Sequence, residues 1–468
     1  MPDSFDVVII GSGQAGNPLA TAFAKEGRRV ALIEKNLLGG SCINYGCVPT
    51  KTLLASSERA HHAYTDAPYG IEVEVETIDL PTIVERKDAL LKTLRQGIYE
   101  NLTGEEKNSV QLFDGHATFT SPHTLSVALT TGGTETLTAP LIFINTGTRA
   151  AVPDIPGLRE TDFLTPTTIL DLKDKPEHLI IIGGGYIGLE FSQLYRRLGC
   201  AVTIVESADV ILEREDNDVC EAMQRLLESE GIEFLLGSEA HRVSQNADKQ
   251  FTVSVTTPDG ERRLQGSHVL VAVGREPNTK ELGLDKAGVE MNERGFVVVN
   301  DQLHTNVRGI YALGDVHGGP QFTHISYDDY RIVRDNILKG KNRSIKGRDV
   351  PYVVFTEPQL GRIGLSEHEA QEQKIDYRVA NMPVKTIGRA QQTGFTEGFI
   401  KVLVDGKTDC ILGTAVFCEQ GGEIMSMLQL AMHGSITCEM LQDMIFAHPT
   451  WAESLNNLFS QLKNPKKQ

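Results

Sequence analysis

The feature that most constrains this chain is a glycine pattern that occurs twice. "DVVII" runs into "GSGQAG", then "NPLATAFAKEG", then "RRVALIEK", which reads as strand, glycine turn, helix and strand. Gly11 permits the tight turn, Gly13 lets backbone approach a pyrophosphate, and Gly16 lets the helix pack on the strand. The free N–H groups at the helix start then face the anion. Glu34 closes the second strand, placed for a ribose hydroxyl. The unit returns in "HLIIIGGGYIGLEFSQLYRRLGCAVTIVES", with Gly183, Gly185 and Gly188 in the turn and Glu206 ending the next strand. Two complete units imply two bound dinucleotides, and so an oxidoreductase that moves electrons between them.

At 468 residues the chain is too long for one core, and two to four domains are expected. "LIFINTGTRAAVPDIPG" reads as a buried strand ending at Thr146-Gly147, followed by a Pro/Gly-rich crossing that marks a boundary. "TNVRGIYALGDVHGG" is a second such strand, ending at Gly314-Asp315. After Pro351 the pattern changes. "YVVFTEPQLGRIG", "GFIKVLVD" and "CILGTAVFC" alternate like antiparallel strands, while "GGEIMSMLQLAMHGSI" and "TWAESLNNLFSQL" read as helices. The final "KNPKKQ" reads as a solvated basic tail. The fold class is therefore α/β, with two Rossmann-like dinucleotide-binding domains and a C-terminal α+β domain.

No apolar run is long enough to cross a membrane, and "MPDSFDVVIIGSG" reads as a strand entering a turn, not as a signal peptide. A reducing cytoplasm is the expected compartment. There, seven cysteines are not a disulfide framework. Cys200, Cys220, Cys410, Cys418 and Cys438 are scattered and read as core thiols. A net charge of −17 argues against nucleic acid as a partner.

Cys42 and Cys47, in "LLGGSCINYGCVPTKTLL", are different. On a regular helix residues at this spacing have Cα atoms about 8.6 Å apart. A disulfide tolerates less than about 7 Å. The pair therefore bridges only if the helix is distorted, and Gly46 and Pro49 lie where distortion is accommodated. A bridge held that way would be strained and easily reduced, which suits a redox catalyst better than a staple. Two buried thiols or a zinc site are the alternatives, and no second ligand pair lies near for zinc.

These residues match a known group. "GSGQAG", "GGSCINYGCVPTK", "GGGYIGLE", "IYALGD" and "HPTWAE" stand in the order found in FAD-dependent pyridine nucleotide–disulfide oxidoreductases, which the chain resembles over nearly its whole length. The resemblance implies that residues 1–150 form the first part of an FAD-binding domain and 151–275 an NAD(P)H-binding domain. It gives 276–348 as the second, central part of the FAD domain and 349–468 as a dimerisation domain. The implied assembly is a homodimer in which His448 completes the partner's active site.

The resemblance also implies roles. Cys47 would be the flavin-facing thiolate and Cys42 the interchange thiol that attacks the acceptor. Lys51 would lie by the flavin and pair with Glu190, a cation there stabilising the reduced flavin. Tyr186 would cover the flavin until nicotinamide displaces it, the alternative being a core aromatic. Asp315 would bond the ribityl chain. Thr146, Gly147, Gly314 and Gly274 (in "VLVAVGREPN") are counted with the cofactor-binding residues. His448 would be the base that makes Cys42 a thiolate, its tautomer held by Glu453. Trp451 would pack at the partner interface or in the core. No resident metal is expected.

Glu206 favours NADH, because a carboxylate accepts from a 2′-hydroxyl and repels a 2′-phosphate. NADPH remains the second choice. For the acceptor, no cysteine follows Cys438 and no Cys-x-x-Cys segment precedes the first fingerprint, so a dedicated mercuric reductase is not expected. "GGPQFTHISYDDYRIVRD", "NERGFVVVNDQLHT" and "HPTWAESLNNLFS" look most like the reactive-chlorine-resistance, mercuric reductase-like branch. That resemblance implies a reductase serving oxidant or metal stress, acting on a disulfide or a soft ion such as Cu(II) or Hg(II). Dihydrolipoamide dehydrogenase is the alternative. A thiol redox-sensing flavoprotein is the alternative of another class.

Overall fold

The computed structural model describes residues 3–104 and 110–464. Its first sheet has eight strands. Five neighbours are parallel, in the order Gln111–Ser121, Val30–Glu34, Val7–Ile10, Leu141–Ile144 and Ile310–Ala312. The central ones are apolar almost throughout because both faces are covered. Being parallel, these strands end on one edge. That edge gathers Gly11, Glu34, the Thr146-Gly147 turn and the Gly314-Asp315 turn from across the chain, at the carboxyl ends where such sheets bind ligands.

The second fingerprint builds a separate four-stranded parallel sheet from Glu233–Leu235, Ala201–Val205, His178–Ile182 and His268–Val271. Gly183, Glu206 and Gly274 follow the carboxyl ends of three of these strands. A three-stranded antiparallel layer, Glu239–Gln245, Phe251–Thr257 and Gly260–Gly266, packs against it.

The C-terminal sheet is antiparallel, with order Tyr352–Val354, Gln359–Gly364, Ile411–Cys418, Phe399–Asp405 and Tyr377–Pro383. Its alternation separates two buried faces, not buried from wet. Ile400, Val402 and Val404 enter a core with the helix Gly421–His433, whereas Phe399 and Phe417 join a core reaching into the other blocks. That second core also holds Leu53, Leu54, Leu189 and Leu194, so the helices Cys47–Thr65 and Tyr186–Arg197 meet there.

Two expectations need correction. The last helix covers only Ser454–Phe459, because Trp451 to Glu453 form a turn in which Trp451 O accepts from Ser454 N and Oγ. Trp451 itself lies in the core of its own chain. The basic tail is not loose from its start: Lys463 pairs with Val379 as a β-bridge, and the rest of "KNPKKQ" beyond Asn464 lies outside the described residues. Among the described residues no helix is long and apolar enough to cross a membrane.

Candidate active site

The first fingerprint turn is closed by steric necessity. Gly11 has φ +100°, and a Cβ there would lie 2.3 Å from Asn145 O. A Cβ at Gly16 would lie 2.2 Å from Gly11 O, so only glycine lets the helix Gly16–Lys25 sit this close. Asn145 stitches the cradle: its Oδ1 accepts from Gly16 N at 2.9 Å and its Nδ2 donates to Leu313 O at 2.8 Å. Glu34 is held at the strand end by Ser12 N (2.9 Å), Ser12 Oγ (2.7 Å) and Asn36 N (2.9 Å).

From this cradle a cavity of about 710 Å³ runs past Thr146, Gly147 and Asp315 to Cys42, Cys47, Lys51, Tyr186 and Glu190. Asp315 Oδ2 accepts from Thr148 Oγ1 at 2.9 Å. Thr146 is tied to Asn278, its Oγ1 donating to Asn278 O (3.0 Å) and its carbonyl accepting from Asn278 Nδ2 (2.9 Å). The glycine-rich turn, the helix start and a cleft running on to the cysteines fit an extended dinucleotide.

The helix carrying Cys42, Gly40–Asn44, stops at Tyr45, and a new helix, Cys47–Thr65, starts after Gly46. The break falls at Gly46 and not at Pro49. Pro49 sits in the first turn of the new helix, where its missing N–H has no intrahelical partner to lose. Both cysteines are free thiols. The hydrogen bond from Cys42 pulls the Cys47 thiol down to about 6, with Thr323 and Lys51 acting the same way against the opposing effect of burial. Cys42 is pushed up by giving that hydrogen bond and by its own burial. The two thiols are thus made unequal, Cys47 being the more acidic.

Lys51 Nζ lies 2.6 Å from Glu190 Oε2 and 4.7 Å from the Phe355 ring centre. Glu190 is buried, and its other oxygen accepts from Phe355 N at 2.9 Å. Tyr186, the first residue of its helix, is 37% exposed and lines the cavity, with its ring 6.2 Å from Phe322. It is not a core aromatic.

The second fingerprint repeats the steric logic with glycines that do not line this cavity. A Cβ at Gly183 (φ +114°) would lie 2.6 Å from Ala272 O, and one at Gly188 would lie 2.2 Å from Gly183 O. At Gly185 and Gly274 a Cβ would meet no protein atom within 4 Å, although Gly274 has φ +132°. Glu206 accepts from Gly184 N (2.5 Å) and Ala208 N (2.9 Å).

His448 Nδ1 lies 2.8 Å from Glu453 Oε2, but the ring is 75% exposed and is not part of the cavity in its own chain. Of the remaining thiols, Cys200, Cys220, Cys418 and Cys438 are buried, and burial pushes Cys200 and Cys220 up to about 11. Cys410 is only half-buried, because it sits at the turn before its strand and not inside the sheet. Sequence reading missed Thr323, whose Oγ1 is 3.2 Å from Cys47 Sγ. Thr323 opens the helix Thr323–Lys339, and nothing local in "QFTHIS" points to Cys47.

Residues 5–329 match the family model for pyridine nucleotide-disulphide oxidoreductases, and residues 350–459 match that family's dimerisation domain. The chain is 38% identical over 465 residues to "Probable pyridine nucleotide-disulfide oxidoreductase RclA" of Escherichia coli (strain K12), covering 98% of this chain and all of that one. It is 34% identical over 451 residues to a mercuric reductase of Staphylococcus aureus, covering 96% of this chain and 81% of the relative. A solved Cu(II) complex of the HOCl-induced flavoprotein disulfide reductase RclA from Escherichia coli superposes with a TM-score of 0.89 at 38% identity, covering 98% of this chain and 99% of that one. With its two fingerprints, its thiol pair in the cavity and these full-length similarities, the chain belongs to the pyridine nucleotide-disulphide oxidoreductase family and is a flavoprotein enzyme working with FAD and a pyridine nucleotide.

Proposed function

We propose that the protein passes electrons from NADH, through FAD, to Cys42–Cys47 and on to a soft metal ion such as Cu(II), or to a small disulfide, in response to oxidant or metal stress. The observation that carries this reading is the pair of unequal thiols beside the Lys51–Glu190 ion pair, in the cavity that begins at the first fingerprint. FAD held along that cavity would supply two-electron exchange between reduced nicotinamide and the cysteine pair. The chain's own residues do the rest. Lys51, fixed by buried Glu190, holds a positive charge at the inner end of the cavity. Thr323 and the helix start at Cys47 keep that sulfur anionic.

Cys42 retains its proton and needs a base. The partner's His448, with its tautomer set by Glu453, suits that task, and its exposure leaves it free to reach a second subunit. With a disulfide acceptor, Cys42 thiolate attacks one sulfur and releases one thiolate, which takes the proton held by the base. Cys47 then attacks Cys42 Sγ, expelling the second thiolate and closing the Cys42–Cys47 bond. With copper, two Cu(II) ions each take one electron, leaving two Cu(I), the closed disulfide and the thiol proton. The pair would meet a soft ion through its two sulfurs, one of them already favoured as thiolate.

Glu206 supports NADH over NADPH. Its carboxylate is fixed by two backbone N–H groups at the end of the second fingerprint's strand. The test is anaerobic steady-state oxidation of NADH and NADPH with Cu(II), Hg(II) or lipoamide as acceptor. We expect higher kcat/KM with NADH, metal reduction that disappears in Cys42→Ala, and little lipoamide turnover. Rapid lipoamide turnover would instead make this a dihydrolipoamide dehydrogenase.

A further inference from the structure

The Gly314-Asp315 turn is gripped from beneath by a carboxylate outside the catalytic set. Asp329, on the helix Thr323–Lys339, is fully buried. Its Oδ2 accepts from Gly314 N at 2.8 Å and from His317 Nε2 at 2.9 Å. Its Oδ1 accepts from Arg348 Nη1 at 2.6 Å. Asp328 lies 3.6 Å from the same Arg348 and 3.3 Å from Arg343, so the cluster is charge-compensated at its outer side. Burial alone would raise the Asp329 carboxyl, but the contacts to His317 and Arg348 outweigh it and hold the group below its ordinary range.

The turn has no slack. Gly314 has φ +71°, and a Cβ there would lie 2.6 Å from Ser326 Oγ. That Cβ would also meet Asn145 Nδ2 at 3.1 Å, which holds Leu313 O. The helix that carries Asp329 also presents Thr323 to Cys47 at its first residue.

We propose that Asp329 is a positioning residue for the flavin nucleotide: held by His317 and Arg348, it fixes Gly314 N and so aims Asp315 into the cofactor cleft. This rests on the reading that Asp315 contacts FAD, and the test separates the two ideas. Asp329→Asn keeps the shape but turns an NH₂ against one of three donors. The apoprotein would be reconstituted with FAD and its Kd read from flavin fluorescence, for wild type, Asp329→Asn, Asp315→Ala and the double variant. We expect Asp329→Asn to weaken FAD binding about ten- to hundredfold, as for a lost hydrogen bond to a charged group. We further expect that effect to vanish in the Asp315→Ala background, whereas a merely structural role would add there. Unchanged Kd in Asp329→Asn, or full additivity, overturns the proposal. Wild-type affinity in Asp315→Ala overturns the underlying reading as well. If Asp329→Asn does not fold, His317→Gln takes its place, with a smaller loss expected and the same coupling to Asp315 required.

Discussion

Cys42 and Cys47 are the same side chain in nearly the same place, and their surroundings alone separate them. The interaction of the two sulfurs, with Cys42 as donor, is the largest single cause of the lowering at Cys47 and of the raising at Cys42. The sign can be worked through. Cys47 lies below the ordinary thiol range at about 6, so in the reduced protein it is a thiolate above that pH and a neutral thiol below it. Thiolate ultraviolet absorbance of the reduced protein should therefore rise through about pH 6, and Cys47→Ser should remove the step. Thr323→Val takes away a donor 3.2 Å from the sulfur and should move the midpoint upward. A midpoint that stays put would mean that the hydroxyl contributes nothing. The cysteine pair was legible as a motif. Thr323 was not, because 276 residues separate it from Cys47 and only the packing brings them together.

At the scale of the element, different glycines of the fingerprints serve different ends. Gly16 and Gly188 are demanded by the protein's own backbone, whereas Gly185 faces no protein atom. Gly16→Ala should therefore cost about 1–3 kcal/mol in urea denaturation, as overpacking does, and lower the FAD content. Gly185→Ala should leave the melting temperature unchanged while raising KM for NADH. Equal stability losses in both variants would contradict this division. The strand–turn–helix units were legible because their local pattern and their final packing agree. The last helix was overextended because Trp451 enters the core and its carbonyl is taken by Ser454, a tertiary constraint that the helical spacing does not report. The C-terminal strands were legible as strands, but their alternation gave no hint that both faces are covered.

At the scale of the molecule, ion pairs join the blocks. Buried Lys401 of the C-terminal sheet reaches Asp216 (2.9 Å) and Asp218 (3.0 Å) beside the second fingerprint domain. Buried Arg197 reaches Glu230 (2.8 Å) and also Glu357. These contacts seat the C-terminal domain on the same chain, yet His448 does not line that chain's cavity. Two inactive variants should then complement each other if the base comes from a second copy. A mixed dimer of Cys42→Ala and His448→Ala has one site with both the thiol pair and the partner's base. Randomly mixed dimers should recover about a quarter of wild-type metal reduction, since half are mixed and each carries one intact site of two. No recovery on mixing would place the base elsewhere.

Taken by itself, the sequence determined what local chemistry determines: two dinucleotide turns, a redox-suited cysteine pair with room for helix distortion at Gly46 or Pro49, and an antiparallel C-terminal domain. Each rests on residues within a few positions of one another, where steric and hydrogen-bonding rules act without reference to the rest of the chain. The tertiary structure decided what depends on distance through space. Parallel strands from four parts of the chain end on one edge, and so collect Gly11, Glu34, Gly147 and Asp315 around one cavity. Helix packing brings Lys51 to Glu190, Thr323 to Cys47 and Asp329 beneath Gly314. These contacts add to the inequality of the two sulfurs and fix the Gly314-Asp315 turn, because burial and hydrogen bonds across long loops exist only once the chain has folded.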